Sequence, residues 1–386
     1  MGRTGGVTGQ LVGKRIGLLT ASASRLGGGV FEAVVAQAHL LRDLGATPVI
    51  FALRDAHSAA DADRFTGCEL NHAAVLGPGF FGYAPDLARQ LDAAQLDLLH
   101  LHGIWMYPSQ AGSAWAGRSN QPYLISPHGM LDPWITGGGR WKKALARAGY
   151  ERRGWARAAA FLALTEREAA DIAHESGRQD CLVIPNAGPP VGPSPTRTRA
   201  PKLLYLGRIH EKKNIGALTE AWTRLDRSGD LPPGAQLVIA GWGTPPDVAE
   251  LERSLIGAPA SIRFVGPKFG ADMARLLAEA RFVALPSHSE GLPMVILEAW
   301  AAGTPALMSH GCNLPIGFAA GAALEADTDP VRLLHQVRRA LTMPDSEWLA
   351  MASAAHDLAS KRFSTATIAA QWEAAYAGLI RGTTPP

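Results

Sequence analysis

Two glutamates with seven residues between them stand in the C-terminal half of the chain, where a loop leads into an apolar helix. Residues 285–303 read LPSHSEGLPMVILEAWAAG, with Glu290 in the loop and Glu298 about one turn into the helix. A carboxylate accepts hydrogen bonds from two neighbouring hydroxyl groups, so both side chains suit a sugar or a ribose diol. Taken alone, they would equally suit a solvated loop acid and a helix-start acid that the helix dipole favours.

The turn between these glutamates is a candidate phosphate site. A helix that begins just after a strand presents unpaired backbone N–H groups and the positive end of its dipole, where phosphates bind. We therefore predict ligand contacts from Gly291, Leu292, Pro293 and Met294. Pro293 suits the first helical turn, but it removes one N–H donor.

Two cations follow a predicted strand that ends at Gly207. Arg208 offers a planar fork and Lys213 a point charge, which together suit a diphosphate, although either could be a surface charge in isolation. Two further strands end in glycine-containing turns, at Gly241 and at Val265-Gly266. Because the carboxyl ends of parallel strands meet at one edge of a sheet, we expect these turns to converge there.

Short apolar runs alternate with longer helical patterns in both halves of the chain. The predicted strands cover residues 15–20, 47–53, 96–101, 123–126, 160–164, 202–206, 236–240, 262–265, 282–285 and 304–308. The clearest helices are predicted over 30–44, 215–225 and 294–302. Six prolines between 185 and 201 interrupt the pattern and indicate an interdomain linker. The fold class is therefore α/β, with two doubly wound, Rossmann-like domains facing across a cleft.

The composition excludes several classes of protein. A net charge of +3 over 386 residues does not favour a nucleic-acid partner. The three cysteines, Cys68, Cys181 and Cys312, are far apart and suit reduced thiols in a cytosol. The N-terminus lacks the apolar stretch of a signal peptide, and no run of about 18 apolar residues predicts a membrane span.

Two further patterns are weak. Gly27-Gly28-Gly29 lacks the third glycine of a dinucleotide-binding fingerprint, which argues against a nicotinamide dehydrogenase. His100 and His102 end a predicted strand, but the sequence offers no third and fourth metal ligand nearby. A structural or acceptor-side role for this pair is the better interpretation, and we predict no metal site.

The motifs and their order resemble the large retaining glycosyltransferase family numbered four, whose members have the GT-B fold. The matching features are the paired glutamates, the Gly-Arg…Lys clamp at 207–213, the glycine-rich loop 27–29, His128-Gly129 at a strand end, and Ile-Pro-Asn-Ala-Gly at 184–188. The likeness spans nearly the whole chain. One departure is Glu-Gly-Leu-Pro at 290–293, where many members have Glu-Gly-Phe-Gly. The sequences of residues 127–134 and 312–315 resemble those of family members that act in exopolysaccharide and lipopolysaccharide assembly.

The resemblance implies a role for each matched residue. Arg208 and Lys213 would neutralise the leaving diphosphate, and Glu298 would bind the ribose hydroxyls. Glu290 would hold hydroxyls of the transferring sugar, which His128 would contact from the other domain. Retention would follow from attack on the face that the phosphate leaves, so catalysis rests on positioning and charge stabilisation.

The remaining donor-side predictions concern ligand contacts with backbone groups and the need for a cofactor. Gly28 and Gly29 would approach the phosphates or the acceptor, where a side chain would block that approach. Gly241, Val265 and Gly266 complete the predicted donor-binding set. No cofactor or divalent metal is expected, because the two cations of the clamp take the metal's place.

The implied organisation has an acceptor-side domain over 1–190, a nucleotide-sugar-binding domain over 201–362, and a helix over 363–386 that returns to the first domain. The expected partners are a nucleoside-diphosphate sugar and a glycan or lipid-linked acceptor, in bacterial surface polysaccharide synthesis in the cytoplasm. Two alternatives are a non-catalytic sugar-nucleotide-binding subunit and a nucleotide-sugar epimerase of the same fold. The retained clamp and glutamates argue against the subunit, and an epimerase needs acid and base carboxylates in a different loop context.

A basic segment over residues 140–157 leaves two interpretations open. It holds seven basic residues and one acid, interleaved with Trp141, Leu145, Tyr150 and Trp155. Such a helix can lie on the anionic inner face of a plasma membrane. It can equally be a solvated helix whose apolar side faces the core.

Overall fold

The computed structural model describes residues 9–133 and 144–383. The chain forms two compact units, which we call unit 1 (Met1–Pro185 with Ile368–Pro386) and unit 2 (Asn186–Thr367). Each unit contains one parallel sheet with helices.

Unit 1 is built on a seven-stranded sheet in the order β3-β2-β1-β4-β5-β6-β7. Its strands are β1 (Arg15–Ser22), β2 (Thr47–Leu53), β3 (Glu69–Ala73), β4 (Leu98–His102), β5 (Tyr123–Ser126), β6 (Ala160–Ala163) and β7 (Cys181–Val183). Its first five described helices are α1 (Gly29–Asp43), α2 (Pro85–Ala93), α3 (Tyr107–Ser119), α4 (Arg152–Arg157) and α5 (Glu166–Ser176). A single π-helical turn, Arg147–Glu151, leads into α4.

Unit 2 is built on a six-stranded sheet in the order β10-β9-β8-β11-β12-β13. Its strands are β8 (Lys202–Ile209), β9 (Gln236–Gly243), β10 (Ile262–Phe264), β11 (Phe282–Leu285), β12 (Ala306–Met308) and β13 (Ala323–Glu325). Its helices are α6 (Ile215–Ser228), α7 (Pro245–Ser254), α8 (Gly270–Glu279), α9 (Met294–Ala301), α10 (Pro315–Ala319), α11 (Pro330–Thr342) and α12 (Asp345–Lys361). The last helix, α13 (Thr365–Ile380), begins in unit 2 and ends in unit 1.

Both sheets have the strand order of doubly wound Rossmann-like folds, with a switch of direction beside the first strand of each. Their central strands are apolar along their length because helices cover both faces of a parallel sheet. In unit 2, Trp222, Trp300 and Trp348 are fully buried in the core around that sheet. The predicted α/β class with two Rossmann-like sheets is therefore confirmed.

The proline-rich segment is held to unit 2 by backbone hydrogen bonds of Gly188 and Gly192 and by the side chain of Arg199. Residues 186–200 contain no helix or strand. The Arg199 guanidinium donates to the carbonyls of Leu277 (3.1 Å), Ala280 (2.9 Å) and Ala302 (2.8 Å) and lies over the ring of Trp348. These carbonyls end α8 and α9, where a helix leaves its last C=O groups without partners. Arg199 therefore links the linker to the helix that carries Glu298.

In unit 1, the end of α13 is held by a buried hydrogen-bond chain. The Tyr376 hydroxyl accepts from Gln37 Nε2 at 3.1 Å and lies 2.8 Å from His100 Nδ1. His100 Nε2 is in turn 2.7 Å from Ser126 Oγ. Trp372 stacks on Tyr376 and is also buried. His100 is therefore fully engaged in joining β4, β5 and α13.

In the described part of the chain, no helix is both long and apolar enough to cross a bilayer.

Candidate functional site

The centre of the candidate site in unit 2 is an ion pair between Lys213 and Glu290. Lys213 Nζ lies 2.6 Å from Glu290 Oε1 and 2.7 Å from Oε2, so one ammonium bridges both carboxylate oxygens. Only 21% of the lysine side chain and 10% of the glutamate side chain are exposed. The lysine follows β8 and the glutamate follows β11, which pair side by side in the sheet. The sequence predicted both residues at this edge but not the contact between them.

Glu290 is held in place by residues that the sequence reasoning did not select. Ser287 Oγ donates to its Oε1 at 2.6 Å. Its backbone N–H donates to Gly311 O at 2.7 Å, and Asn313 Nδ2 donates to its carbonyl at 2.5 Å. Asn313 adopts a left-handed conformation (φ 56°), which asparagine tolerates better than most residues. Ser287 therefore orients the carboxylate, and the loop after β12 holds the backbone of Glu290.

Arg208 and Gly241 lie on the adjacent strands β8 and β9. Tyr205 Oη donates to the Arg208 carbonyl at 2.6 Å, which fixes the backbone near the end of β8. A side-chain Cβ at Gly241 would lie 1.9 Å from the Gly207 carbonyl oxygen. Glycine is thus required at 241 for strand packing, and its predicted donor contact remains a prediction.

The turn after β10 continues beside β9. Val265 N donates to Ile239 O at 2.9 Å, and Gly241 N donates to Gly266 O at 3.0 Å. Gly266 has φ 68°, a conformation that glycine adopts without strain. The structure therefore brings Val265, Gly266 and Gly241 together, as the predicted convergence of strand ends requires.

The turn before α9 has the predicted strand-loop-helix form. Pro293 is the N-cap residue and its carbonyl accepts from Ile296 N at 3.0 Å, while Met294 opens the helix. Gly291 is exposed and Leu292 is half-buried. A Cβ at Gly291 would meet no atom within 4 Å, so a ligand could approach its backbone.

Glu298 lies in α9 and lines a groove of about 940 Å³ between the linker, α8 and α9. The carboxylate makes no hydrogen bond or ion pair with any residue in 9–133 or 144–383. Burial raises its pKa above the ordinary value for a glutamate. A half-buried carboxylate without a protein partner is available to a ligand's hydroxyl groups.

In unit 1, the glycine-rich loop joins β1 to α1. Gly28 has φ 55° and ψ −129°, a conformation open to glycine alone, and Gly29 is the first residue of α1. Cβ atoms at either position would meet no protein atom within 4 Å. Backbone conformation, rather than crowding within the protein, therefore accounts for the glycine at 28.

His128 follows β5 in a left-handed conformation (φ 54°). Its Nε2 lies 3.0 Å from His102 Nδ1, and the two rings stack. Burial lowers the pKa of His128 to about 4, so the imidazole is neutral at neutral pH. The next residue, Gly129, donates its N–H to Glu168 Oε1 at 2.5 Å, while Glu168 Oε2 accepts from Leu164 N at 2.8 Å. Glu168 thus fixes the loop that carries His128, a role that the sequence did not indicate.

The basic segment over 140–157 is described only from residue 144, so Trp141, Lys142 and Lys143 lie outside the described residues. Trp155 is 3% exposed and belongs to the core of unit 1, which favours the interpretation of a core-facing helix for this residue. Leu145, Arg152 and Arg153 are exposed.

No group of three or more His, Cys, Asp or Glu side chains comes together as a metal site within 9–133 and 144–383.

Two family models match the chain. Residues 28–187, which include His128, match the model described as "Glycosyl transferase 4-like domain". Residues 200–343, which include Arg208, Lys213, Glu290 and Glu298, match the model described as "Glycosyl transferases group 1".

Curated relatives match parts of the chain. The glycogen synthase of Mycobacterium tuberculosis (strain H37Rv) is 32% identical over 197 residues, which are 49% of this chain and 45% of that protein. A GDP-mannose-dependent alpha-(1-6)-phosphatidylinositol dimannoside mannosyltransferase of Mycobacterium tuberculosis (strain H37Ra) is 34% identical over 146 residues, 37% of this chain and 36% of that protein. The matches span less than half of the length of these relatives.

Solved structures match over nearly the full chain. Anabaena HepE in complex with UDP has a TM-score of 0.74 and 19% identity, and the match covers 93% of this chain and 98% of that chain. At this identity the likeness concerns the fold alone.

Proposed function

We propose that this chain, which belongs to the family-four glycosyltransferases of the GT-B fold, transfers a sugar with retention from a nucleoside-diphosphate sugar to a glycan or lipid-linked acceptor. Unit 2 would bind the donor and unit 1 the acceptor. The observation that carries the proposal is the shielded pair of Lys213 and Glu290 beside the turn that opens α9. A cation and a carboxylate held together can bind, respectively, a phosphate and the hydroxyls of the attached sugar.

Four side chains of unit 2 would each bind a different part of the donor. Arg208 and Lys213 would stabilise the negative charge that develops on the departing diphosphate, the largest single contribution in many enzymes. Glu290 would orient the sugar hydroxyls, and Glu298, whose carboxylate has no partner among the described residues, would accept hydrogen bonds from the ribose hydroxyls.

On the acceptor side, the neutral imidazole of His128 would contact the transferring sugar. A neutral ring can donate or accept a hydrogen bond without placing a positive charge beside an oxocarbenium-like transition state. Gly28 would let the loop after β1 approach the ligand, because a Cβ at this position would meet no atom of the described chain within 4 Å.

We propose that the reaction needs no divalent metal, because Arg208 and Lys213 supply the positive charge. The test is release of nucleoside diphosphate from a panel of UDP, GDP, ADP and dTDP sugars, with and without EDTA. We expect release from at least one donor and full activity in EDTA. Activity that EDTA abolishes and magnesium or manganese restores would contradict metal independence.

The same assay separates the alternatives. Nucleotide binding without release from any donor, in the presence of a broad set of acceptors, would favour a non-catalytic subunit. Interconversion of the donor sugar without an acceptor would favour an epimerase. Retention is tested by NMR of the anomeric configuration of the product.

We propose a cytoplasmic protein of surface-polysaccharide synthesis that contacts an anionic membrane through residues 140–157. Exposed Leu145, Arg152 and Arg153 support this contact, whereas buried Trp155 does not contribute to it. Co-sedimentation with anionic liposomes should decrease as the salt concentration rises, because salt screens the attraction. It should also decrease when Lys142, Lys143, Arg152 and Arg153 are replaced by glutamate. No binding at low salt would refute the membrane contact.

A further inference from the structure

The glycine-rich loop that joins β1 to α1 is attached to the segment after β2 by two carboxylates. Asp55 Oδ2 accepts from Ser22 Oγ at 2.7 Å and from Ser24 Oγ at 2.9 Å. Asp61 Oδ2 accepts from the backbone N–H of Arg25 at 2.8 Å. The two acids therefore hold consecutive residues of the loop, Ser24 and Arg25.

The carboxylate of Asp55 is fully occupied by the protein. Rossmann-like dinucleotide sites use an acid that follows the glycine-rich turn to bind ribose. Here Oδ2 binds the two serine hydroxyls, and Oδ1 accepts from His57 N at 2.9 Å. Burial alone would raise the pKa of Asp55, but the hydrogen bonds that it accepts, first among them that from Ser22, outweigh burial and keep the pKa below its ordinary value. Asp55 is therefore ionised at neutral pH and committed to the loop.

The two serine hydroxyls transmit this constraint to the backbone of the loop. Because both hydroxyl protons are donated to Asp55, both oxygens remain available as acceptors. Ser22 Oγ accepts from Ser24 N at 3.3 Å, and Ser24 Oγ accepts from Leu26 N at 3.3 Å. The second bond caps the start of a short 3₁₀ turn, Arg25–Gly27.

The residues that the acids hold are those that bind the two glycines. Ser24 O accepts from Gly27 N at 2.8 Å, and Arg25 O accepts from Gly28 N at 3.2 Å. A glycine backbone has more conformational freedom to lose than that of any other residue. The conformation of Gly28 is therefore fixed by the contacts of its neighbours, and those contacts depend on the two acids.

We propose that Asp55 and Asp61 are positioning residues of the transfer reaction, which hold the backbone of Gly28 where it meets the ligand. The inference rests on the proposed glycosyltransferase function, in which Gly28 approaches the donor phosphates or the acceptor. Neither acid contacts the ligand in this arrangement, since each acts through a residue next to the glycines.

Amide hydrogen exchange, measured by mass spectrometry on fragments that cover residues 22–30, tests the loop itself. Asp55→Ala and Asp61→Ala should speed exchange of the Leu26, Gly27 and Gly28 amides at least about tenfold, the size expected from the loss of a hydrogen bond to a charged group. Exchange in β1 should stay within about twofold of the wild type, which shows that unit 1 is folded. Unchanged exchange of the loop in both variants would overturn the inference, whatever their activity.

Two further variants are the controls. Asp63→Ala removes an exposed acid of the same segment, whose side chain makes no hydrogen bond or ion pair with any residue that the structure describes. Arg25→Ala removes the exposed guanidinium that pairs with Asp61 but keeps the backbone N–H that donates to it. Both should exchange like the wild type. Exchange as fast in Asp63→Ala as in the other aspartate variants would attribute the effect to lost charge and overturn the inference. Exchange as fast in Arg25→Ala as in Asp61→Ala would attribute that effect to the salt bridge and overturn the role of Asp61.

A double-mutant cycle on kcat/KM tests the link to the reaction, with the donor identified by nucleotide release. Asp55→Ala should lower kcat/KM at least about tenfold in the wild-type background. In the Gly28→Ala background the loop is already displaced, because alanine does not adopt the conformation of Gly28, and the same change should cost less than about threefold. An acid that only stabilised the fold would lower kcat/KM by the same factor in both backgrounds, and that outcome would overturn the positioning role.

The two measurements keep the proposals apart. A wild-type protein that releases nucleotide from no donor would count against the proposed function, and the exchange rates would still decide whether the two acids hold the loop. Faster loop exchange in Asp55→Ala together with wild-type kcat/KM would overturn the positioning role and leave the proposed function intact.

Discussion

The ammonium group of Lys213 bridges both carboxylate oxygens of Glu290, at 2.6 and 2.7 Å. Each side chain therefore neutralises the other in a largely shielded position. A bound donor would have to change this contact, because a phosphate competes for the lysine and sugar hydroxyls compete for the carboxylate. Under the proposed function, the pair would be both a preorganised site and a barrier to donor binding.

The first prediction concerns the lysine. Lys213→Ala should lower kcat/KM by about 10²–10³-fold, because it removes positive charge from the departing diphosphate, typically about 3–4 kcal/mol. It also leaves Glu290 without its counter-ion. Lys212→Ala is the control, since this neighbouring lysine makes no ion pair in the described chain. Near-wild-type transfer by Lys213→Ala would remove the lysine from the proposed mechanism.

The second prediction separates binding from catalysis at the glutamate. Glu290→Gln should bind free nucleoside diphosphate about two- to tenfold more tightly, because Lys213 is no longer neutralised by a carboxylate. Its turnover should nevertheless fall by at least about tenfold, because an amide holds the sugar hydroxyls less strongly. Calorimetry and steady-state kinetics check the two effects. Weaker nucleotide binding in Glu290→Gln would show that the pair does not compete with the donor.

The sequence was sufficient to predict the strands at the centre of each sheet. β2 and β11 begin and end where the apolar runs predicted them, because strands buried on both faces are continuously apolar. The strands that it missed, β3, β7 and β13, all lie at sheet edges. β3 reads ELNHA, whose polar residues a half-exposed edge tolerates and which no periodic pattern marks.

For the candidate site, residue types were predictable and contacts were not. The resemblance pointed to Lys213 and Glu290, but their ion pair depends on the packing of β8 against β11. Ser287 and Asn313 are single polar residues in loops, so no spacing distinguishes them from solvated ones. The contact between His102 Nδ1 and His128 Nε2 depends on the orientation of both rings, which no sequence pattern encodes.

The third prediction concerns the acid that fixes the His128 loop. Both carboxylate oxygens of Glu168 accept hydrogen bonds from backbone N–H groups. In Glu168→Gln one of these N–H groups would face the N–H₂ group of the amide, which cannot accept a hydrogen bond. We expect turnover to fall about tenfold with little change in nucleotide affinity, because none of the proposed nucleotide contacts involves Glu168 or the loop that carries His128. Glu166→Ala, which removes an exposed acid from the same helical turn, is the control. A shift of the His128 ring signals in NMR spectra of Glu168→Gln, but not of Glu166→Ala, would distinguish repositioning of His128 from general destabilisation.

The fourth prediction is a dependence of stability on pH that arises from Glu151. This carboxyl group is 1% exposed in the π-helical turn, and its oxygen accepts from Trp105 N at 2.6 Å. Trp105 has φ 80°, a conformation unfavourable for a bulky residue, so this bond helps to hold it. Burial raises the pKa of Glu151 from 4.5 to about 7. Near neutral pH the folded protein therefore retains a proton that the unfolded chain has lost.

The sign follows from linkage between folding and proton binding. Below about pH 4.5 the carboxyl group is protonated in both states and contributes no pH dependence. Between pH 4.5 and 7 only the folded state holds the proton, so the free energy of unfolding falls as the pH rises, by up to about 3 kcal/mol. Above about pH 7 the carboxyl group is ionised in both states, so the free energy of unfolding no longer changes with pH on its account.

Glu151→Gln keeps an oxygen for Trp105 N but cannot ionise, so it should remove this pH dependence. Urea unfolding of both proteins from pH 5 to 8 measures the difference between them, which cancels the contribution of other titrating groups. The variant should become increasingly more stable than the wild type up to about pH 7, and parallel stability curves would show that Glu151 ionises equally in both states.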